Sequence, residues 1–418
     1  ATARQLESAK AAMLERFRRY GYELVSPPLI EYTDSLLTNA DPALDMQTFK
    51  LDDQLSGRQL GLRADMTPQV ARIDAHLLAH RQGVTRLCYA GSVVHTRASG
   101  LMRSREPLQV GAELYGCYDL AADIEIIELM LSTLAGVGID AVTLDLGHLG
   151  VYRALVREAQ LDGETEQALF AALQAKDRAS VEALTADVRE PFCSAFRHLV
   201  DLYGPEAIGK ARARLPGLPG IRAALDDLER LAQIFASRAR ISFDLTELRG
   251  THYHTGLMFA AYAEGWAEEL ARGGRYDNVG RRFGRARPAT GFSLDLRDMI
   301  RVLPQTHPSK GIRVRAADLS RLADEVARLR AAGEVVVVDY LGETAADLHA
   351  LLDHIDIPDA LSRTFQHHLQ MLLRLPALIL AIRQMRARLH HSLRHILQLA
   401  DARMLHRRLV VALADLPH

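Results

Sequence analysis

The chain has 418 residues, 48% of them apolar and 25% charged, the proportions of a folded globular protein with material for two or three cored domains, which excludes disorder as the default. A formal net charge of −1 and a pI near 7.1 exclude a general nucleic-acid surface, which needs a strongly basic balance. Three cysteines without paired spacing predict neither a disulfide framework nor a zinc site, and with no apolar run of bilayer length and no signal-peptide pattern in ATARQLESAK, a cytoplasmic location is expected.

Leu6, Met13, Leu14 and Phe17 fall on one helical face that stops at Gly21. Tyr22-Glu23-Leu24-Val25, ahead of Pro27 and Pro28, then reads as a strand at a sheet edge. Ser56-Gly57 marks a hairpin turn between two short strands, and a helix follows Thr67 with Pro68 in its first turn. Leu87–His95 and Pro107–Tyr115 alternate inside and outside around a polar loop, Thr96–Glu106, predicting a long antiparallel hairpin. Asp123–Gly138 carries Ile124, Ile127, Leu131 and Leu134 in helical register, and a half-buried strand starts at Val142. His148, after that strand, reads as a satisfied loop histidine rather than a ligand.

Leu161–Arg240 is rich in Ala, Leu, Arg and Glu and predicts a helical insertion, after which a period of two returns at Ile241–Leu245. A βαβ unit follows, from Gly311 through a helix stopped by Gly333 to the strand beginning at Val335. The expected organisation is a first core part over 1–160, the insertion over 161–240, a second core part over 241–305, a small α/β piece over 311–345, and an atypical helical tail over 346–418. The tail has no functional assignment; its histidines are irregularly spaced and lack carboxylate or Cys partners.

Several residues carry chemistry. Asp65 offers a carboxylate to an ammonium, or it simply caps the helix after it. Arg249 immediately before Gly250 can bring a cation and open backbone to a carboxylate, with the ring and hydroxyl of Tyr253 beside it. His252 and His254 share one strand face without Cys or Glu at a metal-ligand spacing, so no metal is expected. Arg103 and Arg105 are either phosphate ligands or solvated loop charges.

In this order the segments resemble the motifs of class II aminoacyl-tRNA synthetases, closest to histidyl-tRNA synthetase, over roughly residues 5 to 345. Residues 20–32 resemble motif 1, which builds that family's dimer interface. Leu62-Arg63-Ala64-Asp65-Met66-Thr67 stands where the family has Leu-Arg-Pro-Glu-X-Thr, whose Glu binds the histidine amino group. The hairpin resembles motif 2, and Gly273-Gly274-Arg275-Tyr276-Asp277 with the chain to Met299 resembles the motif 3 region. Arg249, Gly250 and Tyr253 match the family's Arg-Gly-Leu-Asp-Tyr-Tyr, while Thr251, His252 and His254 depart from it.

The departures matter most at the nucleotide. Motif 2 closes its first strand with an Arg and, two residues on, a Glu that grip ATP; here these are His95 and Arg97. A guanidinium forks onto two phosphate oxygens, whereas a neutral imidazole donates one hydrogen bond. The family's closing Gly-Leu-Glu-Arg is Asp295-Leu296-Arg297-Asp298, expected at the end of the motif 3 helix, so an acid replaces the phosphate-binding Arg.

The resemblance therefore implies an α+β fold, a mostly antiparallel sheet flanked by helices, and the family's inactive paralogue, the regulatory subunit of ATP phosphoribosyltransferase, which supports the first step of histidine biosynthesis. It implies a histidine pocket of Asp65, Thr67, Gln109, Glu113, Arg249, Tyr253 and His254. It implies a degenerate ATP site of His95, Arg97, Arg103, Arg105 and Asp298, with no catalytic residue and no cofactor. The implied partners are the short catalytic subunit, a second copy through the motif 1 region, and free histidine as effector, with no nucleic acid and no membrane. Two alternatives stay open: an active histidyl-tRNA synthetase, or another small-molecule-activating enzyme using Arg103 and Arg105 on phosphate.

Overall fold

The computed structural model describes residues 2–37, 42–98, 103–246, 254–277, 279–303 and 311–340, in two units, Ala1–His307 and Pro308–His418. Helix α1 (Thr2–Arg19) buries Ala9, Met13 and Phe17 at helical spacing and ends where Gly21 takes φ +81°, a backbone state that a side chain disfavours. Three basic residues in its last turn complement the helix dipole.

The expected edge strand is short, β1 (Glu23–Leu24), because Pro27 and Pro28 cannot donate to a ladder. Strand β2 (Ile30–Tyr32), helices α2 (Thr33–Leu36) and α3 (Pro42–Gln47), and strands β3 (Phe49–Asp52) and β4 (Gln59–Leu62) follow; β2, β4 and β3 form a small antiparallel sheet. Helix α4 (Thr67–Arg72) runs on into one π turn, Ile73–Leu77.

Strands β5 (Thr85–Ser92) and β6 (Leu108–Tyr115) form the antiparallel hairpin, with Thr85 opposite Tyr115 and Ser92 opposite Leu108. The first strand stops at Ser92 rather than His95. Pro107 accepts from Val93 N but has no N–H to return the bond, so the two-way ladder ends there, although His95 N still reaches the Arg105 carbonyl. Helix α5 (Leu120–Gly136), β7 (Val142–His148), the helices α6 (Leu149–Ala159), α7 (Gly163–Gln174), α8 (Arg178–Leu184), α9 (Phe192–Leu199), α10 (Ala207–Arg214) and α11 (Pro219–Phe235), and then β8 (Arg240–Phe243) come next. His148 caps α6 by accepting from Gly150 N, and burial pushes its pKa down to about 4, so it is a structural imidazole.

Strands β9 (Leu257–Ala263), β10 (Ala271–Arg275) and β11 (Ala289–Asp295) complete a sheet in the order β1-β5-β6-β11-β10-β9-β7-β8. Only β1 with β5 and β7 with β8 are parallel among its pairs. Alternation along the strands splits its two faces. Cys88 of β5, Val110, Ala112 and Leu114 of β6, and Phe292 and Leu294 of β11 face the main core with α1 and α5, where Phe17 meets Phe292 edge to face at 5.9 Å. Leu87, Tyr89, Tyr115 and Ala289 face the other side, against α4.

The short helix α12 (Leu296–Met299) corrects the expected position of the motif 3 tetrad, which begins this helix rather than ending one. Asp295 is its N-cap, accepting from Arg297 N at 2.9 Å. In the second unit, β12 (Ile312–Arg315) pairs parallel with β13 (Val336–Asp339) across α13 (Ala323–Ala331), around Val314, Val326, Leu329 and Val336. Residues 346–418 lie outside the described residues.

Helix α5 is held at its start by Asp119, whose side chain accepts from Ala121 N at 2.8 Å. Asp119→Ala is expected to cost about 1 kcal/mol, read as a lower urea midpoint. An unchanged midpoint would remove this cap from the account.

Candidate functional site

On the sheet face opposite α1 and α5, a cavity of about 540 Å³ opens between α4, β6, β11 and the β9–β10 hairpin. Strand alternation puts Gln109 and Glu113 on this side of β6 while Val110, Ala112 and Leu114 go to the core. Opposite Glu113, β11 has Gly291, where any Cβ would strike the carboxylate; the strand needs glycine to admit this side chain.

Asp65, Thr67, Gln109, Glu113 and His254 all line this cavity. Asp65 Oδ1 accepts from Thr67 N at 3.0 Å and from Gln109 Nε2 at 2.8 Å, while Gln109 Oε1 accepts from Met66 N at 2.9 Å. The capping and ligand readings of Asp65 are thus compatible: it holds the turn into α4 and also faces the cavity. Arg249 and Tyr253, with Thr251 and His252, lie outside the described residues.

Glu113 is 1% exposed. Its Oε1 accepts from Tyr89 Oη at 3.0 Å and Thr67 Oγ1 at 3.2 Å, and its Oε2 accepts from Tyr276 Oη. Burial lifts its pKa to about 8 against the pull of these hydroxyls, with Asp65 adding to the rise. Tyr89 and Tyr276 are members of this site that sequence reasoning passed over. Tyr276 was within reach through the Gly273-Gly274-Arg275-Tyr276-Asp277 segment; Tyr89 carried no signal beyond an inward position on β5.

Of the positions that the resemblance assigns to the nucleotide, His95, Arg103 and Asp298 line the cavity. His95 is pinned by Nε2 to the carbonyl oxygen of Ala64 at 2.9 Å, and its Nδ1 is buried without a hydrogen-bond partner. Arg97 and Arg105 are exposed and do not line the cavity; Arg105 donates to the His95 carbonyl and sits over the Phe49 ring. The Arg105 guanidinium thus faces its own hairpin and the Phe49 ring of β3.

Arg103 does line the cavity, and it is paired there. It pairs with Glu268 and, at 3.1 Å, with Glu269 from the β9–β10 loop, and it stands 4.0 Å from Asp298. Burial raises the Asp298 carboxyl, partly opposed by Arg103 and Arg301, and burial together with Asp298 lifts Asp295 to about 6. This half of the cavity consequently sets Glu268, Glu269, Asp295 and Asp298 against Arg103 and Arg272, both of which pair with Glu269. Glu268 and Glu269 lie 165 and 166 residues from Arg103, a separation that left no local pattern to find.

Arg275 points away from the cavity. It bonds Asp123 Oδ2 at 2.6 Å, the carbonyls of Cys117 and Asp119, and Asp277 at 3.4 Å, locking β10 onto α5. Among the described residues no group of three or more His, Cys, Asp or Glu is placed to hold a metal ion, and no helix is long and apolar enough to cross a membrane.

Residues 1–299 match the family model for histidyl-tRNA synthetase. An ATP phosphoribosyltransferase regulatory subunit from Chromobacterium violaceum is 65% identical over 84% of this chain and 91% of its own length. A solved ATP phosphoribosyltransferase regulatory subunit/histidyl-tRNA synthetase from Bacillus halodurans C superposes with a TM-score of 0.72 at 28% identity, covering 85% of this chain and 93% of that one. A chain of the ATP phosphoribosyl transferase (HisG:HisZ) complex from Thermotoga maritima shares the fold, with a TM-score of 0.53 at 19% identity over 69% of this chain and 96% of its own. With its class II synthetase-like α+β sheet, the chain belongs to the histidyl-tRNA synthetase-like family and, within it, to the regulatory subunits of ATP phosphoribosyltransferase.

Proposed function

We propose that this chain performs no chemistry of its own and acts on the short catalytic subunit of ATP phosphoribosyltransferase, with free histidine as the effector bound in the amino-acid half of the cavity. The observation that carries the reading is the engagement of Arg103 by Glu268 and Glu269, with Asp298 in the place of the second phosphate-binding arginine. A triphosphate entering there would meet an excess of like charge, whereas a free amino acid needs none of that half. Asp65 would pair the ammonium, Glu113 and Gln109 would hold the imidazole side, and Arg249 with Tyr253 and His254 would take the carboxylate end. The location is cytoplasmic, where the catalytic subunit and its substrates are found together.

Residues 20–32 form the self-dimer contact in this proposal. Leu24, Leu29 and Ile30 there are 60%, 39% and 48% exposed, more apolar surface than a lone chain gains by showing to water.

Co-expression with the catalytic subunit tests the partnership: the two chains should co-purify in a fixed ratio. Histidine should raise the melting temperature of the chain by mass action, with about 2.7 kcal/mol of added stability at a hundredfold excess over Kd. Asp65→Ala should abolish most of that rise. No shift at saturating histidine, in a complex that histidine still inhibits, would move the effector site elsewhere.

A further inference from the structure

Glu113 is a fully buried carboxyl with hydroxyl partners only. The groups facing it are Asp65 from the turn before α4, Thr67 on α4, Tyr89 on β5, Tyr115 beside it on β6 and Tyr276 after β10. All are acids, phenols or alcohols. The nearest described imidazoles on the cavity wall are His95, bonded to the Ala64 carbonyl, and His254, packed against Gly274, and neither hydrogen-bonds Glu113. Among the described residues, a negative charge at Glu113 therefore has no counter-charge. The Asp65 carboxylate makes that charge harder still to carry.

We infer that this pocket takes an imidazole ligand only with one proton shared between the ligand ring and Glu113, so that affinity peaks in a window of pH and falls on both sides. The inference rests on the reading of the cavity as a histidine site and adds to it the charge state in which the site works.

The proton balance follows from the burial. With no proton between them, a neutral ring would face a buried, desolvated carboxylate that keeps only hydrogen bonds. With two, a buried imidazolium would face a neutral acid. Each leaves an uncompensated charge in a dry site. With one, either a neutral acid meets a neutral ring or an ion pair forms, and both are balanced.

The free partners set the edges of the window. Free imidazole titrates near ~6.5, and the empty pocket's Glu113 near about 8. Between these values the ring arrives neutral, the carboxyl already holds the proton, and binding exchanges none. Below the lower edge the ring arrives protonated and Glu113 must give up its proton. Above the upper edge both partners are deprotonated, and binding takes one proton from solvent. Outside the window affinity should fall by about tenfold per pH unit.

The test is calorimetric titration of L-histidine into the full chain from about pH 5.5 to about pH 9, each point repeated in two buffers of different ionisation enthalpy to count protons. The expected count for the ring and Glu113 is zero within the window, one released below it and one taken up above it, the last read as the difference from Glu113→Gln because the α-amino group of histidine, an ammonium when it meets Asp65, takes up a proton of its own at high pH. Glu113→Gln, isosteric and able to accept from the ring N–H, should keep binding near neutrality and retain at high pH only the uptake of the α-amino group. The wild-type release below the window, where the α-amino group stays protonated, decides the matter even where the variant fails to fold. Binding with a proton count of zero throughout, or an unchanged profile in Glu113→Gln, overturns this inference alone. No binding at any pH overturns the histidine site and this inference with it.

Discussion

Purified chain is expected to show no histidine-dependent exchange between ATP and pyrophosphate. By the resemblance, His95 and Asp298 stand at the two positions where an active synthetase holds the triphosphate with arginines. Each lost charge-assisted contact costs about 1.5 to 3 kcal/mol, so the pair amounts to about 3 to 6 kcal/mol, or roughly two to four orders of magnitude in rate before any repulsion from Asp298. Restoring His95→Arg alone should not rescue exchange. Arg103 would still be tied to Glu268 and Glu269, and Asp298 would still face the phosphates. Exchange above background in a radiolabelled pyrophosphate assay would contradict the proposed lack of catalysis and favour an active synthetase.

The second large effect is structural. Arg275→Ala should destabilise the first unit by about 3 to 5 kcal/mol, because it strands the Asp123 carboxylate, which is 2% exposed, without its counter-charge. Burial already raises the Asp123 pKa against the pull of Arg275, so the variant would have to bury a proton there or admit water. Urea unfolding of Arg275→Ala and of Arg275→Ala with Asp123→Ala reads this directly. The double variant should recover part of the loss, since it removes the stranded charge. A single variant within about 0.5 kcal/mol of wild type would mean that the pair is worth no more than a surface contact.

The hairpin was legible because its strands alternate strictly, and the same alternation places Gln109 and Glu113 on the cavity side of β6. The strand end was not: Leu87–His95 keeps its pattern to the last residue, but Pro107 opposite breaks the ladder at Ser92. Asp65, Thr67, Gln109 and Glu113 stand at two motif positions, and the fold brings them together on one cavity wall. The nucleotide half was readable only as losses. What replaced it, the carboxylates around Arg103, comes from the β9–β10 loop, and no spacing rule links that loop to the hairpin. The tetrad at Asp295 was read from the resemblance as the end of a helix. Its Asp is instead a good N-cap, a local signal that outranks the motif in deciding where α12 begins.

A chain without chemistry can change a partner's turnover only by binding one of the partner's states better than another, so its effect must appear as a coupling between interface and active site. The central claim is therefore tested most directly by the rate of phosphoribosyl-ATP formation from ATP and phosphoribosyl pyrophosphate, measured with the short catalytic subunit alone, with this chain added, and with histidine added to both. The account predicts that this chain raises turnover and that histidine takes the gain away. Unchanged turnover in a complex that stays intact on gel filtration would contradict it.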